Sequence, residues 1–300
     1  MKGSLADPRI AAGAVTGQDV IFHLAYDVRQ DGSANVKLSE TLFAAAEAEG
    51  RARIVHLSSI VVYDDWPSGQ VSEASPRSDG TGGAYRRAKI AIEDRLLAGQ
   101  RPALILQPTL VWGPGSGLWT ERFADALRTG TVVLPEPEGL FQGVFVDDVV
   151  QACLRAAVLP DPGREAFIIN GAQPFPWSAL LCGYRDLLDC GTVRFEPAEA
   201  LRPRATAGRP GAQTPSIAAR VSALGRRLVG RERFEALVRG VRRSRRHVTV
   251  MMPDAHMFEL MVARGACPPD RARTRLGYVP DFDLARGLAE TAAALRGAHS

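Results

Sequence analysis

Short apolar runs and longer, helically spaced stretches take turns along this chain. Asp19-Val20-Ile21-Phe22-His23-Leu24-Ala25 is a continuous apolar run bounded by polar residues. Arg53-Ile54-Val55-His56-Leu57, Ala103-Leu104-Ile105-Leu106 and Ala166-Phe167-Ile168-Ile169-Asn170-Gly171 are runs of the same kind. Unalternating runs of strand length predict strands buried on both faces of a parallel sheet. Between them the apolar positions fall at helical spacing. Pro8 to about Val15 predicts one helix. Asn35 to Glu49 predicts a second, through Val36, Leu38, Leu42 and Phe43, with Asn35 as a candidate N-cap and Gly50 as the stop signal. A third begins at Tyr85 and runs through Ile92, Leu96 and Leu97 to near Gly99.

The second half continues the alternation with less regularity. Leu118 to Thr129 reads as a helix, and Val132-Val133-Leu134-Pro135 as a short strand. Asp147-Asp148-Val149 opens another helix, its acids placed to suit the dipole in the first turn, and both are read as structural. Trp177 to Leu188 predicts a helix and Thr192 to Glu196 a strand. Arg202 to Pro215 is read as loop from its Pro, Gly, Ala and Thr content. Ile217, Val221, Leu224, Leu228, Leu237, Val238 and Val241 then recur at helical spacing with arginines between. Together these elements predict an α/β fold, a doubly wound and mostly parallel sheet with a smaller carboxyl-terminal region.

Composition narrows the class. The 300 residues are 46% hydrophobic and 23% charged, ordinary values for a globular protein with ample chain for a core. No stretch approaches a membrane span, and the first residues lack the apolar core of a signal peptide. Cys153, Cys182, Cys190 and Cys267 show no C-x-x-C spacing, and the histidines form no ligand pattern, so no metal site is expected. Scattered thiols read as those of a cytoplasmic protein. Net charge is +4, but residues 201–250 alone carry +11, leaving −7 on the rest. This basic segment reads as a packed helix with a solvated face, or as a holder of an anionic substrate. An acidic membrane surface or nucleic acid is a weaker alternative, because no nucleic-acid motif accompanies it.

The candidate chemistry lies between Arg53 and Lys89. Tyr85 and Lys89, four apart on a helix, share one face. A phenol titrates near ~10 and is a poor acid or base at neutral pH, but an ammonium beside it favours the phenolate. Ser59, just past the preceding strand, is placed to hydrogen-bond the oxygen on a carbon being oxidised or reduced.

These residues resemble the extended short-chain dehydrogenases/reductases, the NAD-dependent epimerase/dehydratase family. HLSSIVVYDD (56–65) looks like its S-x-x-V-Y-G stretch, and AYRRAK (84–89) like its Tyr-x-x-x-Lys helix. DVIFHLA (19–25), ILQPTLVWGPGSG (105–117), GVFVDDVVQA (143–152) and LGYVPDFDLARGLAETAAALR (276–296) look like further family segments, in family order. The resemblance implies a Rossmann-type NAD(P)-binding domain over 1–172, incomplete at its start, with 113–146 contributing to the substrate side. It implies a substrate-binding region over 173–300. It assigns Tyr85 as general acid/base, Lys89 as its activator and ribose contact, Ser59 as holder of the substrate oxygen, and Asn35 as support. Leu24, Ala25, Ser58, Pro108, Thr109 and Leu110 join Tyr85 and Lys89 in lining the site for NAD or NADP. Gln107 and Trp112 stand where the family usually has Arg and Tyr. Ile60 and Val61 stand where 4,6-dehydratases carry Asp and Glu, which disfavours that elimination.

The implied activity is NAD(P)-dependent oxidoreduction or epimerisation at a secondary alcohol or ketone carbon. A nucleotide sugar or a related small, anionic molecule is the implied substrate, and a homodimer one assembly that the resemblance allows; nucleic acid is not expected as partner, nor is a membrane span. No glycine-rich turn between strand and helix occurs near the first residues, where the pyrophosphate would need its backbone N–H groups. A misplaced start or truncation is the favoured explanation, so activity of the chain as given is left open. A degenerate, cofactor-free binding or scaffold protein is the alternative.

Overall fold

The structure, a computed structural model, describes residues 3–78, 82–207 and 249–297. Its principal sheet is parallel, with helices packed between successive strands. Helix α1 (Pro8–Val15) starts on Asp7, whose carboxylate accepts the Arg9 N–H at 2.9 Å, with Pro8 in the first turn where its missing N–H costs nothing. Strand β1 (Val20–His23) leads to helix α2 (Gly32–Glu49), which ends on Gly50 in the left-handed conformation at φ 74°. The α2 N-cap is Asp31, which accepts the Ala34 N–H, and not Asn35; a cap of this kind is worth about 1 kcal/mol. Asn35 lies one turn inside the helix and serves another purpose. Strand β2 (Arg53–Leu57), helix α3 (Ala84–Ala98), strand β3 (Ala103–Pro108) and strand β4 (Leu110–Trp112) follow.

Beyond these come helix α4 (Arg122–Thr129) and strands β5 (Gly130–Glu136), β6 (Leu140–Phe141) and β7 (Gly143–Phe145). Helix α5 (Val146–Ala157), strand β8 (Arg164–Ile169), strand β9 (Phe175–Pro176), helix α6 (Trp177–Leu188) and strand β10 (Thr192–Pro197) come next. Helix α7 (Ala198–Ala207), strand β11 (Thr249–Met251), helix α8 (Ala255–Val262) and helix α9 (Leu284–Gly297) complete the described elements.

The first sheet has the order β1-β2-β3-β8, all parallel, as the apolar runs predict. Its two faces carry separate cores. Ile54 and Ile105 point with Ala103 toward α2 and α3, meeting Leu42, Phe43, Ala46, Ile92 and Leu96. Val55, Leu104, Leu106 and Phe167 point the other way, toward Val149, Ala152 and Ala156 of α5. Strand β1 departs from the expectation of burial on both faces: Phe22 is 43% exposed, and only His23 in the strand is buried. Among the described residues β1 pairs with β2 alone, so it forms an edge.

A second parallel sheet, β10-β5-β11, and the pairs β4-β7 and β6-β9 build the other side. Its core is aromatic: Trp112, Trp119, Phe123, Phe141, Phe145, Trp177 and Tyr184 cluster there. Close approaches set the seat of α9. A Cβ on Gly287 would strike Trp112, and one on Gly183 of α6 would strike Leu288. The stretch 202–207 is helical, contrary to the loop expectation, because Leu201 and Ala205 sit one turn apart and bury against Val133 and Phe258. The rest of that loop, and the helical spacing from Ile217 to Val241, lie outside the described residues.

Polar groups tie the two sides together. The Asp148 carboxylate accepts the N–H groups of Asp281 (2.7 Å) and Phe282 (3.3 Å), which fixes the carboxyl-terminal segment to α5. Asn170, just past β8, donates to Gln142 and Cys267 and accepts from Thr109. No described helix is long and apolar enough to cross a membrane.

Candidate active site

The carboxyl ends of β1, β2 and β3 face the same way, as they must in a parallel sheet, and the candidate residues gather there. Past β2 the chain stays extended at Ser59 and turns through Ile60–Val62, with the Ser59 hydroxyl accepting the Val61 N–H at 3.4 Å. Tyr85 is the second residue of α3, and Lys89 follows one turn later on the same face. Lys89 is only 4% exposed, and its ammonium donates to the Leu57 carbonyl at the end of β2, 2.7 Å away. That bond fixes the cation at the strand end, 5.7 Å from the centre of the Tyr85 ring. The helix thus delivers both groups to the turn that carries Ser59.

Charge at the site is governed by burial. Tyr85 as a whole is 40% exposed, but its hydroxyl end lies deep enough for burial to push the phenol upward, while a hydrogen bond with Ser59 pulls it down. Burial lowers Lys89 to about 8, against an upward pull from Glu93. Glu93 is itself buried one turn beyond Lys89 and is raised by desolvation. Gln107 donates to one of its oxygens at 2.9 Å and Arg77 to the other at 3.3 Å. The Tyr63 hydroxyl completes this cluster by donating to Gln107 Oε1 at 2.8 Å.

Asn35 takes a different position from its expected partners. Its side-chain oxygen accepts the Asp27 N–H at 2.8 Å, and its amide donates to the carbonyls of Asp27 (3.0 Å) and Asp31 (3.1 Å). Asn35 therefore fastens the 27–31 loop, and its carbonyl receives the Ser39 hydroxyl at 2.9 Å. That loop starts beside Tyr26, whose ring meets Tyr85 edge-on at 5.0 Å and covers Lys89 at 4.9 Å.

The residues expected to line a dinucleotide divide into two groups. Leu24, 53% exposed, and Ala25 stand open at the end of β1, next to Tyr26. Ser58 is buried, its N–H donating to Leu106 at 2.7 Å. The N–H groups of Thr109 and Leu110 are already bonded to Ile169 and Gln142, so these residues offer a wall and not free backbone donors. An exposed apolar rim at the end of β1 beside a fixed ammonium fits the nicotinamide end of such a cofactor.

Sequence reasoning missed Tyr26 and Glu93. Tyr26 had a signal: it follows DVIFHLA at the place where the resembled D-V-V-F-H-L-A-A stretch ends in Ala. Lysine usage was a second signal. Lys2, Lys37 and Lys89 are the only lysines, in a chain whose other cations are all arginine. An ammonium can shift its pKa and release a proton where a guanidinium cannot, so a buried lysine in an arginine-rich chain is a candidate for titration.

The profile of the NAD dependent epimerase/dehydratase family matches residues 2–170. A 2-alkyl-3-oxoalkanoate reductase of Stenotrophomonas maltophilia (strain K279a) is 28% identical over 198 residues, 60% of this chain and 60% of the reductase. A 3 beta-hydroxysteroid dehydrogenase/Delta 5-->4-isomerase of Mycobacterium tuberculosis (strain CDC 1551 / Oshkosh) is 26% identical over 199 residues, 58% of this chain and 54% of that protein. The chain thus spans well under two thirds of either relative's length. The solved structure of RMD from Pseudomonas aeruginosa complexed with NADPH superimposes with a TM-score of 0.66. The match covers 99% of this chain and 87% of that one at 14% identity, a likeness of fold.

Proposed function

The chain belongs to the NAD dependent epimerase/dehydratase family, and on that premise we propose that Ser59, Tyr85 and Lys89 carry out hydride-transfer chemistry at a secondary alcohol or ketone. The observation that carries the reading is the meeting of Tyr85 and Lys89 with the Ser59 turn, with the ammonium anchored on Leu57. The cofactor is NAD or NADP, and it supplies or accepts the hydride when bound. Leu24, Ala25, Ser58, Lys89 and the 108–110 wall would hold its nicotinamide end.

The chain's own residues handle the proton. In the reducing direction Tyr85 gives its phenolic proton to the substrate oxygen, and the charge left on the phenolate is opposed by the Lys89 ammonium. In the oxidising direction the same oxygen takes the alcohol proton back. Ser59 hydrogen-bonds the substrate oxygen in both directions. Burial raises Tyr85, which keeps on the phenol the proton that reduction would use.

The proposed substrate is a small molecule, taken as a nucleotide sugar or a related anion, and the proposed assembly is a homodimer. The two relatives, named for an oxoalkanoate and a steroid, favour a second reading in which the ketone is apolar. The test is turnover of the whole protein with NADH and NADPH against a 2-alkyl-3-oxoalkanoate and a 3-oxosteroid, and with NAD and NADP against UDP-glucose. Consumption of reduced nicotinamide with either ketone supports the apolar reading, and conversion of UDP-glucose supports the sugar. Turnover that survives Tyr85→Phe undiminished would overturn the chemistry.

A further inference from the structure

We infer that Tyr26 is a positioning residue of this site, whose ring face holds the Lys89 ammonium in place and charged. The inference rests on the reading of Tyr85 and Lys89 as the proton-handling pair and adds a member to it. Tyr26 covers Lys89 Nζ at 4.9 Å from its ring centre, closer than Tyr85 at 5.7 Å. The two rings meet edge to face, 5.0 Å between centres at 81°, so the position of either ring limits the other. The third support of the ammonium is the Leu57 carbonyl. A buried ammonium with one carbonyl acceptor has lost most of its hydration, and the negative face of an aromatic ring replaces part of it.

The loop is built to keep that ring where it is. Asn35 binds the backbone of Asp27 through both ends of its amide and reaches Asp31 as well. Asp27 is pinned in turn by Arg29, with bonds of 2.8 Å to each carboxylate oxygen. A helix side chain thus fixes the residue after Tyr26, and the ring has a defined seat over Lys89. This gives Asn35 a role at the site through the loop, without contact with the reacting groups.

The groups facing Lys89 decide what removing the ring does. Glu93 on α3 favours its charge. His23 on β1 and His56 on β2 interact with it as neutral rings, since its charge opposes their protonation. Tyr85 contributes a second ring. Tyr26, unlike these, stands on a loop, so it can be altered without changing a residue of the sheet or of α3, and Tyr26→Phe controls for its contact with Tyr85.

The lysine content makes the test direct. With Lys2, Lys37 and Lys89 as the only lysines, a protein labelled at lysine Cε gives a spectrum in which Lys89→Arg identifies the buried signal. Its chemical shift is followed against pH in the parent, Tyr26→Phe and Tyr26→Leu. Phe keeps the ring face and is expected to keep the midpoint. Leu keeps apolar bulk without a π face and is expected to lower the midpoint by roughly half a pH unit to one pH unit. In Tyr26→Leu the alkaline limb of turnover should move down by the same amount, and in Tyr26→Phe that limb should keep its position. A Leu midpoint equal to or above the parent's, or a Phe midpoint as low as Leu's, would overturn the inference. Where Tyr26→Leu does not fold, Tyr26→Met carries the same expectation. The midpoint is read without turnover, so failure of the catalytic reading, seen as an active Tyr85→Phe, is distinguishable from failure of this one.

Discussion

His23 and His56 stack with 4.8 Å between ring centres and their Nδ1 atoms 2.9 Å apart. Only one of those nitrogens can carry the proton between them. Ser39 gives its hydroxyl hydrogen to Asn35, so it accepts from His23 Nε2 at 3.3 Å, which leaves His23 Nδ1 as the acceptor and His56 Nδ1 as the donor. Both rings are therefore neutral, and both sit in the field of Lys89.

A fall in stability at mildly acid pH follows. Burial first, and then the Lys89 charge, lowers His23 from 6.5 to about 4 and holds His56 well below its ordinary value. The unfolded chain takes up these protons as pH drops below 6.5, and the folded chain does not until near 4. Stability is then level above 6.5 and declines between 6.5 and 4, by about 3 kcal/mol for His23 alone, since each pH unit across that window costs ~1.4 kcal/mol. Denaturant midpoints across the same range measure it. A profile as flat as that of a His23→Leu, His56→Phe double variant would contradict the assignment.

Turnover should depend on Tyr85 far more than on its neighbours. Tyr85→Phe is expected to cost ~10²–10⁴-fold in kcat with cofactor binding nearly unchanged, since the proton moves only as the C–O bond order changes. Lys89→Met should lose turnover and weaken cofactor binding together. Tyr63→Phe serves as the contrast. It removes the donor to buried Gln107 and should cost about 1–3 kcal/mol of stability, with kcat untouched. Equal losses in kcat for Tyr63→Phe and Tyr85→Phe would refute the division of labour.

The alkaline limb of the reduction rate should centre near the Lys89 value. The ammonium opposes the phenolate left behind by Tyr85 only while it is charged, and it gives up its proton at about 8. Reduction is thus expected to decline as pH rises through 8, and Glu93→Gln should move that limb lower by removing the charge that favours the ammonium. A rate that stays flat well into the alkaline range would be the contrary result.

Asp148 should act on stability alone. Asp148→Ala leaves the part-buried N–H groups of Asp281 and Phe282 without their acceptor and is expected to cost about 1 kcal/mol, with Asp148→Asn milder because one acceptor oxygen survives. Thermal unfolding of the two variants gives the order. An unaffected melting temperature in Asp148→Ala would show the segment to be held by other contacts.

Much of the first sheet can be read from the chain because its strands are central and parallel. Val55 and Leu104 face one side and Ile54 and Ile105 the other, so the runs are apolar throughout and stand out. Edge strand β1 has the same kind of run with half the burial, since a run's composition does not show how many neighbours the strand has. Asp31 and Asn35 are both cap residues one turn apart, so propensity alone could not say which one starts α2. The loop reading of 202–207 failed because Pro203 outweighed the Leu201 and Ala205 pair, whose burial depends on Phe258 far along the chain. Strands as short as β6, β9 and β11 have no period to detect. Tyr85 and Lys89 could be paired from the sequence because residues four apart on a helix share a face, and Ser59 could be singled out because it closes an apolar strand run. Tyr26 was not, because its place over Lys89 depends on a loop path set by Asn35.

The seat of α9 bears on how the molecule can move. Gly287 lets this last helix lie directly on Trp112 at the end of β4, and Gly183 lets Leu288, its next residue, lie directly on α6. One turn of helix is thus in hard contact with both β4 and α6. Swinging those elements apart as rigid plates would require prising both glycine contacts open together. Helix α9 therefore acts as a clasp between β4 and α6, and a Cβ added at either glycine is expected to force the two apart.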